Sequence, residues 1–238
     1  MKISLLLCIC MLACFVPANA NLILNPSFEM PVVPVTSFTS FPVPPGTGIP
    51  NWTVVGAAGT EVSIVNGTYT KECCVFAPDP SDGLQWLDLT GFSSNKFEGV
   101  EQTVPTTTGT TYDLSFLVGN VYDPTGVFGT TSKVEVRLGG IAGTVLGDFT
   151  NSSTTPGVLN WKPFATTFVA GAGATTTLDF LNLDPATDNS NGLDSLVLTA
   201  EPAPGIPEPG TLTLLGLGII GLGLTRRLAK FSFHLPTR

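Results

Sequence analysis

The feature that most constrains the fold is a series of short apolar runs separated by turn-forming residues. The runs are rich in Val, Thr, Leu and Phe, which favour extended chain, and Gly, Pro, Asn and Asp separate them. Lys133 to Leu138 alternates polar and apolar residues, as a strand with one wet face does. The predicted strands are 61–65, 84–89, 97–104, 111–118, 133–138, 164–169, 175–181 and 193–198.

No segment from 21 to 200 has helical periodicity, so this part of the chain is predicted to be all-β. That many short strands predict one antiparallel jelly-roll β-sandwich domain over 21–200. We expect another short strand at the start, from Asn21 to Phe28. The proline-rich stretch 30–50 is predicted to be an extended surface loop, and 66–83 a second loop.

The N-terminus has the pattern of a secretory signal peptide. Lys2 precedes an apolar stretch, and Ala18-Asn19-Ala20 is a small-residue cleavage site. Residues 1–20 are therefore predicted to be removed as the protein leaves the cytoplasm.

The C-terminus predicts a short membrane anchor. A proline-rich linker, 201–210, contains Pro207-Glu208-Pro209, and an uncharged run leads to Arg226 and Arg227. As a helix, 211–224 would extend about 21 Å, which is short of a hydrocarbon core of about 30 Å. We predict a single transmembrane helix over 211–225 and a basic cytoplasmic tail over 226–238.

In this order, the Pro-Glu-Pro motif, apolar run and Arg pair resemble the PEP-CTERM sorting signal of Gram-negative bacteria. The resemblance implies cleavage by an exosortase, a transient inner-membrane anchor, and release to the cell surface or extracellular matrix. The tail after Arg227 is longer than the few residues such signals usually carry. The alternative is a permanent single-span anchor.

The charge of the secreted part limits which partners it can bind, and its cysteine content limits which disulfides it can form. From Asn21 to Glu201 there are 17 acidic and 5 basic residues, which disfavours binding to nucleic acid. With residues 1–20 removed, only the adjacent Cys73 and Cys74 remain, so no disulfide framework is expected. The pair could form a vicinal disulfide, pair between molecules, or stay reduced.

The secreted part also resembles a family of galactose-binding-like β-sandwiches, named in plants for cell-wall association and common in bacteria with the same C-terminal signal. The resemblance implies a jelly roll that binds polysaccharide. The stretches that carry it are Asn25–Glu29, Ile49–Trp52, Gly83–Leu89, Val100–Val104, Tyr112–Phe116 and Gly192–Leu196.

Aromatic side chains are the candidates for sugar binding, because flat rings stack on the C–H faces of a pyranose. Trp86 shares a strand face with Leu84 and Asp88, so core and site are equally open for it. Tyr122 lies in a loop after a strand and is expected to face solvent. We predict Trp86 and Tyr122 as carbohydrate-binding residues.

The same resemblance implies a structural Ca²⁺ held by a carboxylate from the first strand and one from the last. Glu29 and Asp194 match these positions, and oxygen ligands suit a hard cation in an acidic domain. The alternative is that both carboxylates accept hydrogen bonds from turn amides, with no ion present.

Enzyme chemistry has little support in the sequence, and no catalytic residue is predicted. The single histidine, His234, lies beyond the anchor, which excludes a Ser-His-Asp or Cys-His site in the sandwich. A glycosidase pair drawn from Glu98, Glu101 and Asp113 is the remaining enzymatic alternative. We predict a non-catalytic, polysaccharide-binding surface protein, or else a structural matrix protein without sugar specificity.

Overall fold

The computed structural model describes residues 20–44, 48–79, 82–92 and 96–201. The predicted linker, transmembrane helix and basic tail, and nearly all of the predicted signal peptide, lie outside these residues. Within the described ranges, no helix is long and apolar enough to cross a membrane.

The described residues form thirteen strands and no α-helix. In chain order they are β1 Ser37–Pro42, β2 Thr53–Val55, β3 Glu61–Asn66, β4 Tyr69–Lys71, β5 Cys74–Phe76, β6 Gln85–Asp88, β7 Gly99–Pro105, β8 Thr111–Val121, β9 Ser132–Leu138, β10 Thr144–Asn151, β11 Leu159–Val169, β12 Thr175–Asn182 and β13 Gly192–Ala200.

Two antiparallel sheets make up the sandwich. The six-stranded sheet has the order β1-β3-β6-β13-β8-β11, and the five-stranded sheet has the order β10-β9-β12-β7-β2. Strands distant in sequence are neighbours in both, as in a jelly roll. The predicted all-β antiparallel sandwich is confirmed. A separate two-stranded ribbon joins β4 to β5.

The main core contains apolar residues of both sheets. The pleat of β3 and β6 sends Ile64 and Leu87 into it, together with Val100 and Phe180 from the five-stranded sheet. All four side chains are fully buried. Packing between the two inner faces therefore holds the sandwich together.

A second, smaller core lies on the outer face of the six-stranded sheet. The residues next to Ile64 and Leu87, Val65 and Trp86, point the other way and join Cys74 and Phe76 of the ribbon. The six-stranded sheet is therefore covered on both faces near β3 and β6.

The prediction that 30–50 is a loop is wrong for Ser37–Pro42, which forms β1. Residues 37–41 contain no proline, and β1 pairs with β3 on one side only. Proline is tolerated at such an edge strand because the outer side of the strand needs no ladder partner.

The predicted first strand, 21–28, is not formed. Leu22 donates its amide hydrogen to the carbonyl of Leu198 at 2.9 Å. The chain then turns at Asn25 and Phe28, which have positive φ angles. Pro26 lacks an amide hydrogen, so this segment cannot continue a ladder.

Candidate functional site

A cavity of about 240 Å³ opens on the outer face of the six-stranded sheet. Its floor follows from strand register, because Phe38 pairs with Val65, and Val65 with Trp86. The neighbouring row places Ser63 opposite Asp88. All five side chains line the cavity.

The β4–β5 ribbon forms one wall. It contributes Tyr69, Lys71 and Phe76 to the lining. The ring of Tyr69 meets the edge of Phe38 at a centroid distance of 5.7 Å, and Phe76 lies 6.3 Å from Trp86 in a stacked arrangement. The ribbon is thereby packed onto the floor by aromatic contacts.

The rest of the lining comes from Phe92, Val127, Phe128 and Asn189, and Phe128 contacts Phe76 of the ribbon at a centroid distance of 5.0 Å. Phe92 is 72% exposed and stacks on Phe38 with centroids 5.6 Å apart. Its outer face is therefore open to solvent at the mouth of the cavity. Flat apolar faces of this kind bind the apolar face of a ring-shaped ligand.

Asp88 is the carboxyl group in the cavity lining. Its Oδ1 accepts hydrogen bonds from the amide and hydroxyl of Thr90 at 3.0 and 2.8 Å, and from the amide of Asn191 at 3.3 Å. Burial, with the nearby negative charge of Glu98, raises the pKa of Asp88 to about 7. The group can thus donate a proton near neutral pH.

Two further carboxyls lie close enough to Asp88 to interact with it electrostatically. Burial and the charge of Asp188 raise the pKa of Asp184 to about 9, and burial raises that of Asp188 to about 7. Asp184 accepts a hydrogen bond from the amide of Lys133 at 2.6 Å. This side of the sandwich therefore concentrates carboxyls whose pKa values are raised above that of a solvent-exposed aspartate.

The structure separates the two predicted sugar-binding residues. Trp86 lines the cavity floor but is 1% exposed, with its ring held between Phe76 and Trp161. Tyr122 is half-buried in a bridge with Pro156 and is not among the described cavity-lining residues. Their role in binding stays a prediction.

The predicted calcium ligands share an acidic neighbourhood. Glu29 Oε1 accepts hydrogen bonds from the amides of Leu84 and Gln85, each at 2.7 Å. Asp194 Oδ2 is buried without a hydrogen-bond partner within the described ranges. Burial, and the charges of Asp82, Asp79 and Glu29, raise the pKa of Asp194 to about 9.

An orphaned carboxylate oxygen among other carboxylates fits a hard cation. The amide bonds of Glu29 also fit the alternative, in which the carboxylate serves a turn. In the described part of the chain, no group of three or more His, Cys, Asp or Glu side chains is arranged to hold a metal. Calcium therefore stays a prediction.

The candidate glycosidase carboxylates are spread over the sandwich. Glu98 is fully buried just before β7, Glu101 lies on β7, and Asp113 lies on β8 of the other sheet. None of the three lines the cavity. The cavity itself was not predicted, and the segment 37–41 gives little signal for it, because Phe38 and Phe41 are three residues apart and do not alternate with polar residues.

Two family models match the chain. One, described as HpiC1 cyclase, matches residues 19–187, which is most of the sandwich. The other, the PEP-CTERM protein-sorting motif, matches residues 205–227. The PEP-CTERM assignment is confirmed, and it indicates a secreted, exosortase-processed surface protein. No curated protein sequence matches the chain.

Solved structures with similar folds include enzymes and binding modules. A Stig cyclase, Fisc, from Fischerella sp. TAU, in complex with (3Z)-3-(1-methyl-2-pyrrolidinylidene)-3H-indole, is 20% identical with a TM-score of 0.53. The match covers 78% of this chain and 100% of that chain. A second cyclase structure from the same organism is 19% identical, covers 79% and 100%, and has a TM-score of 0.51.

The carbohydrate-binding module TmCBM61, in complex with β-1,4-galactotriose, is more distant. It is 14% identical with a TM-score of 0.39, and the match covers 77% of this chain and 100% of that chain. The two cyclase structures, at 20% and 19% identity, show the fold alone, and a fold does not assign an activity.

Proposed function

The chain belongs to the HpiC1-like family, and from this premise we propose that its sandwich holds one ring of a polysaccharide in the aromatic cavity. The protein would act as a non-catalytic binding module at the cell surface or in the extracellular matrix. The cavity between Phe92, Phe38 and the β4–β5 ribbon is the observation that carries this proposal.

The size of the cavity limits the ligand. Its volume of about 240 Å³ lies below the range of roughly 300 to 1,000 Å³ that holds drug-sized ligands. It therefore suits a single ring, as presented by a chain end or a side branch. A long polysaccharide would leave most of its length outside.

The chemistry of the lining also suits a sugar ring. Phe38 and Phe92 offer aromatic faces, while Asp88, Ser63 and Asn189 offer polar groups for hydroxyls. Such a mixture of an apolar surface with a few polar groups is typical of small-molecule sites.

The sorting motif supports the location of this activity. After exosortase processing the sandwich would remain at the surface, where envelope or extracellular polysaccharide is available. The transient inner-membrane anchor over 211–225 is part of the same proposal.

A polysaccharide array tests the proposal. We expect the full chain to bind at least one glycan saturably, and Phe92→Ala to weaken that binding about three- to tenfold, because a stacking face at the cavity mouth is lost. Val145→Ala, at another exposed apolar residue, is the matched control and should bind normally. Absence of glycan binding on a broad array would favour the structural matrix protein instead.

The second candidate function is a cyclase that donates a proton to a small apolar substrate. Asp88 favours it, because a protonated carboxyl that lines an aromatic cavity can act as a general acid and donate its proton to the substrate. The cyclase in complex with an indole derivative shares the fold. Cyclisation gives an isomer of unchanged mass, because the proton that Asp88 donates is returned when the product forms. Liquid chromatography of indole-containing alkenes incubated with the full chain and with Asp88→Asn would separate such an isomer and detect turnover that depends on this carboxyl.

Structural calcium at Glu29 and Asp194 is a further part of the proposal. We expect Ca²⁺ to raise the melting temperature of the full chain by several degrees, because a bound cation removes repulsion among buried carboxylates. Asp194→Asn should abolish the shift, whereas Asp148→Asn, at an exposed ion pair with Lys133, should retain it. An equal Ca²⁺ effect in both variants would argue against this site.

A further inference from the structure

Lys71 is the one basic side chain among the cavity-lining residues that the structure describes. From Asn21 to Glu201 the chain has five basic residues against 17 acidic ones. The other four, Lys96, Lys133, Arg137 and Lys162, do not belong to that described lining. The charge of Lys71 therefore bears on which ligand the cavity accepts.

Strand β4 directs Lys71 toward the cavity. Lys71 ends this strand two positions after Tyr69, and alternate residues of a strand project to the same side. Tyr69 packs against Phe38 of the floor, and both Tyr69 and Lys71 line the cavity. The turn that follows contains a disulfide between Cys73 and Cys74. Lys71 thus projects from the same wall as Tyr69.

The ammonium group of Lys71 keeps donors for a ligand. Its Nζ lies 3.2 Å from Oε1 of Glu72, and both side chains are more than half exposed. An ion pair this exposed is weak, so it holds the ammonium group only loosely. Because an ammonium group has three donors, Lys71 can also donate to a ligand oxygen.

Lys71 and Asp88 favour one orientation of an anionic ligand. Asp88 belongs to the floor, on β6, and Lys71 belongs to the ribbon wall. An anionic group on the ligand is attracted by Lys71 and repelled by Asp88 whenever Asp88 is ionised. The anionic group therefore faces the ribbon, and the hydroxyls of the ligand face Asp88.

We propose that the cavity selects an acidic sugar ring, a uronic acid, whose carboxylate pairs with Lys71. This inference rests on the proposed function and names its ligand class. A carboxylate takes about the same room as the hydroxymethyl group of a neutral sugar, so it fits a cavity of about 240 Å³ that suits a single ring. A sulfate ester is bulkier and fits less well.

The negative charge of the whole sandwich does not prevent this binding. Exposed charges separated by more than about 8 Å are largely screened at physiological ionic strength. A ligand carboxylate in contact with Lys71 therefore experiences mainly the charges at the cavity, while the distant carboxylates add little.

A matched pair of one-ring probes tests the selectivity on the full chain. Methyl β-glucuronide and methyl β-glucoside differ only in carrying a carboxylate or a hydroxymethyl group. By saturation-transfer NMR titration we expect the glucuronide to bind about three- to fivefold more tightly, the range for one exposed ion pair. Raising NaCl to about 0.5 M should remove most of this preference. Equal affinities at low salt would overturn the inference.

Lys71→Met assigns the preference to a residue, because it keeps an unbranched side chain of similar length without the charge. We expect it to bind both glycosides with the affinity that the natural chain has for the glucoside. Lys162→Met, at an exposed lysine of β11 outside the described lining, is the control and should keep the preference. A preference that persists in Lys71→Met would overturn the role of Lys71.

The outcomes separate this inference from the proposed function. Binding of the glucoside without any preference for the glucuronide overturns the acidic ligand and leaves the sugar-binding function standing. If neither glucose ring binds, the polysaccharide array makes the same comparison between uronate-bearing and neutral glycans. Absence of binding to both kinds of glycan overturns the proposed function, and the inference with it.

Discussion

At the scale of single residues, Asp88 has a raised pKa that the sequence of its own strand does not explain. Its neighbours on β6 are apolar, and Trp86 shares its face of the strand, as the sequence predicted. The raised pKa, however, needs the burial that the folded chain provides. Even the hydrogen bond that opposes this rise comes from far along the chain, because the amide of Asn191 reaches the carboxyl across 103 residues of sequence. Such long-range proximity is invisible in the local pattern.

Ligand affinity should decrease as the pH rises from 6 to 8. Protonated Asp88 can donate a hydrogen bond to a ligand oxygen, and the ionised form cannot; its pKa of about 7 places the change in this interval. Titration calorimetry with a glycan from the array measures the profile.

Asp88→Asn keeps a hydrogen-bond donor at all pH values, so its affinity should stay flat across the interval. Asp148→Asn, at an exposed carboxylate, should keep the pH dependence of the natural protein. A pH profile that is the same in Asp88→Asn as in the natural protein would assign the titration to another group.

At the scale of elements, the two sheets are joined by buried amides as well as by apolar packing. Asn151, at the end of β10, is fully buried. Its Nδ2 donates to the carbonyls of Val118 and Asn160, each at 2.8 Å, and its Oδ1 accepts from the amide and hydroxyl of Ser153. One side chain thus connects β10 of one sheet with β8 and β11 of the other.

Asn151→Ala should lower the free energy of unfolding by about 2 to 4 kcal/mol, because it leaves buried carbonyls without a donor. Urea denaturation measures the loss. Thr150→Ala, at the exposed neighbouring position, is the control and should change stability by less than about 0.5 kcal/mol. Equal losses in the two variants would show that the amide does not carry the connection.

The elements that sequence patterns predicted best are the alternating, glycine-poor strands. Lys133 to Leu138 appears as β9 with one added residue. β10 was missed because Gly147 interrupts its pattern where the register shifts. β1, β4 and β5 were missed because they are short and lie among prolines or turn residues. Their stability comes from tertiary contacts that the segments themselves do not reveal.

At the scale of the whole molecule, raised pKa values make folding a proton-binding reaction. Asp88 and Asp184, with pKa values of about 7 and about 9, keep their protons in the folded chain to higher pH than aspartate in the unfolded chain, whose pKa is near 3.8. Between these limits the folded state binds more protons than the unfolded state.

The free energy of unfolding should therefore decrease as the pH rises from 5 to 8. Urea denaturation without added calcium measures the trend. Asp184→Asn should flatten it, because an amide does not titrate, and Asp113→Asn, at an exposed position of β8, should not. Stability that rises over this interval would contradict the protonated state of these carboxyls.

The overall architecture was predictable because a two-sheet sandwich needs little more than strands of the right length and alternation. The cavity was not predictable. Alternation predicts that the outer face of the sheet is exposed to solvent, whereas the cavity exists because the ribbon packs on that face. Trp86 illustrates the difficulty: as a core residue and as a site residue it has the same sequence pattern, and it lies in a second core beneath the cavity.

The placement of β6 between two cores has a consequence for how this protein can diverge. Leu87 serves the main core, while Trp86 and Asp88 serve the cavity floor, so no position in the middle of this strand is free to vary alone. New ligand preferences would arise instead from the exposed lining residues Phe92, Val127 and Lys71, which belong to neither core. Lineages with this fold should therefore differ at the cavity mouth and keep a common floor.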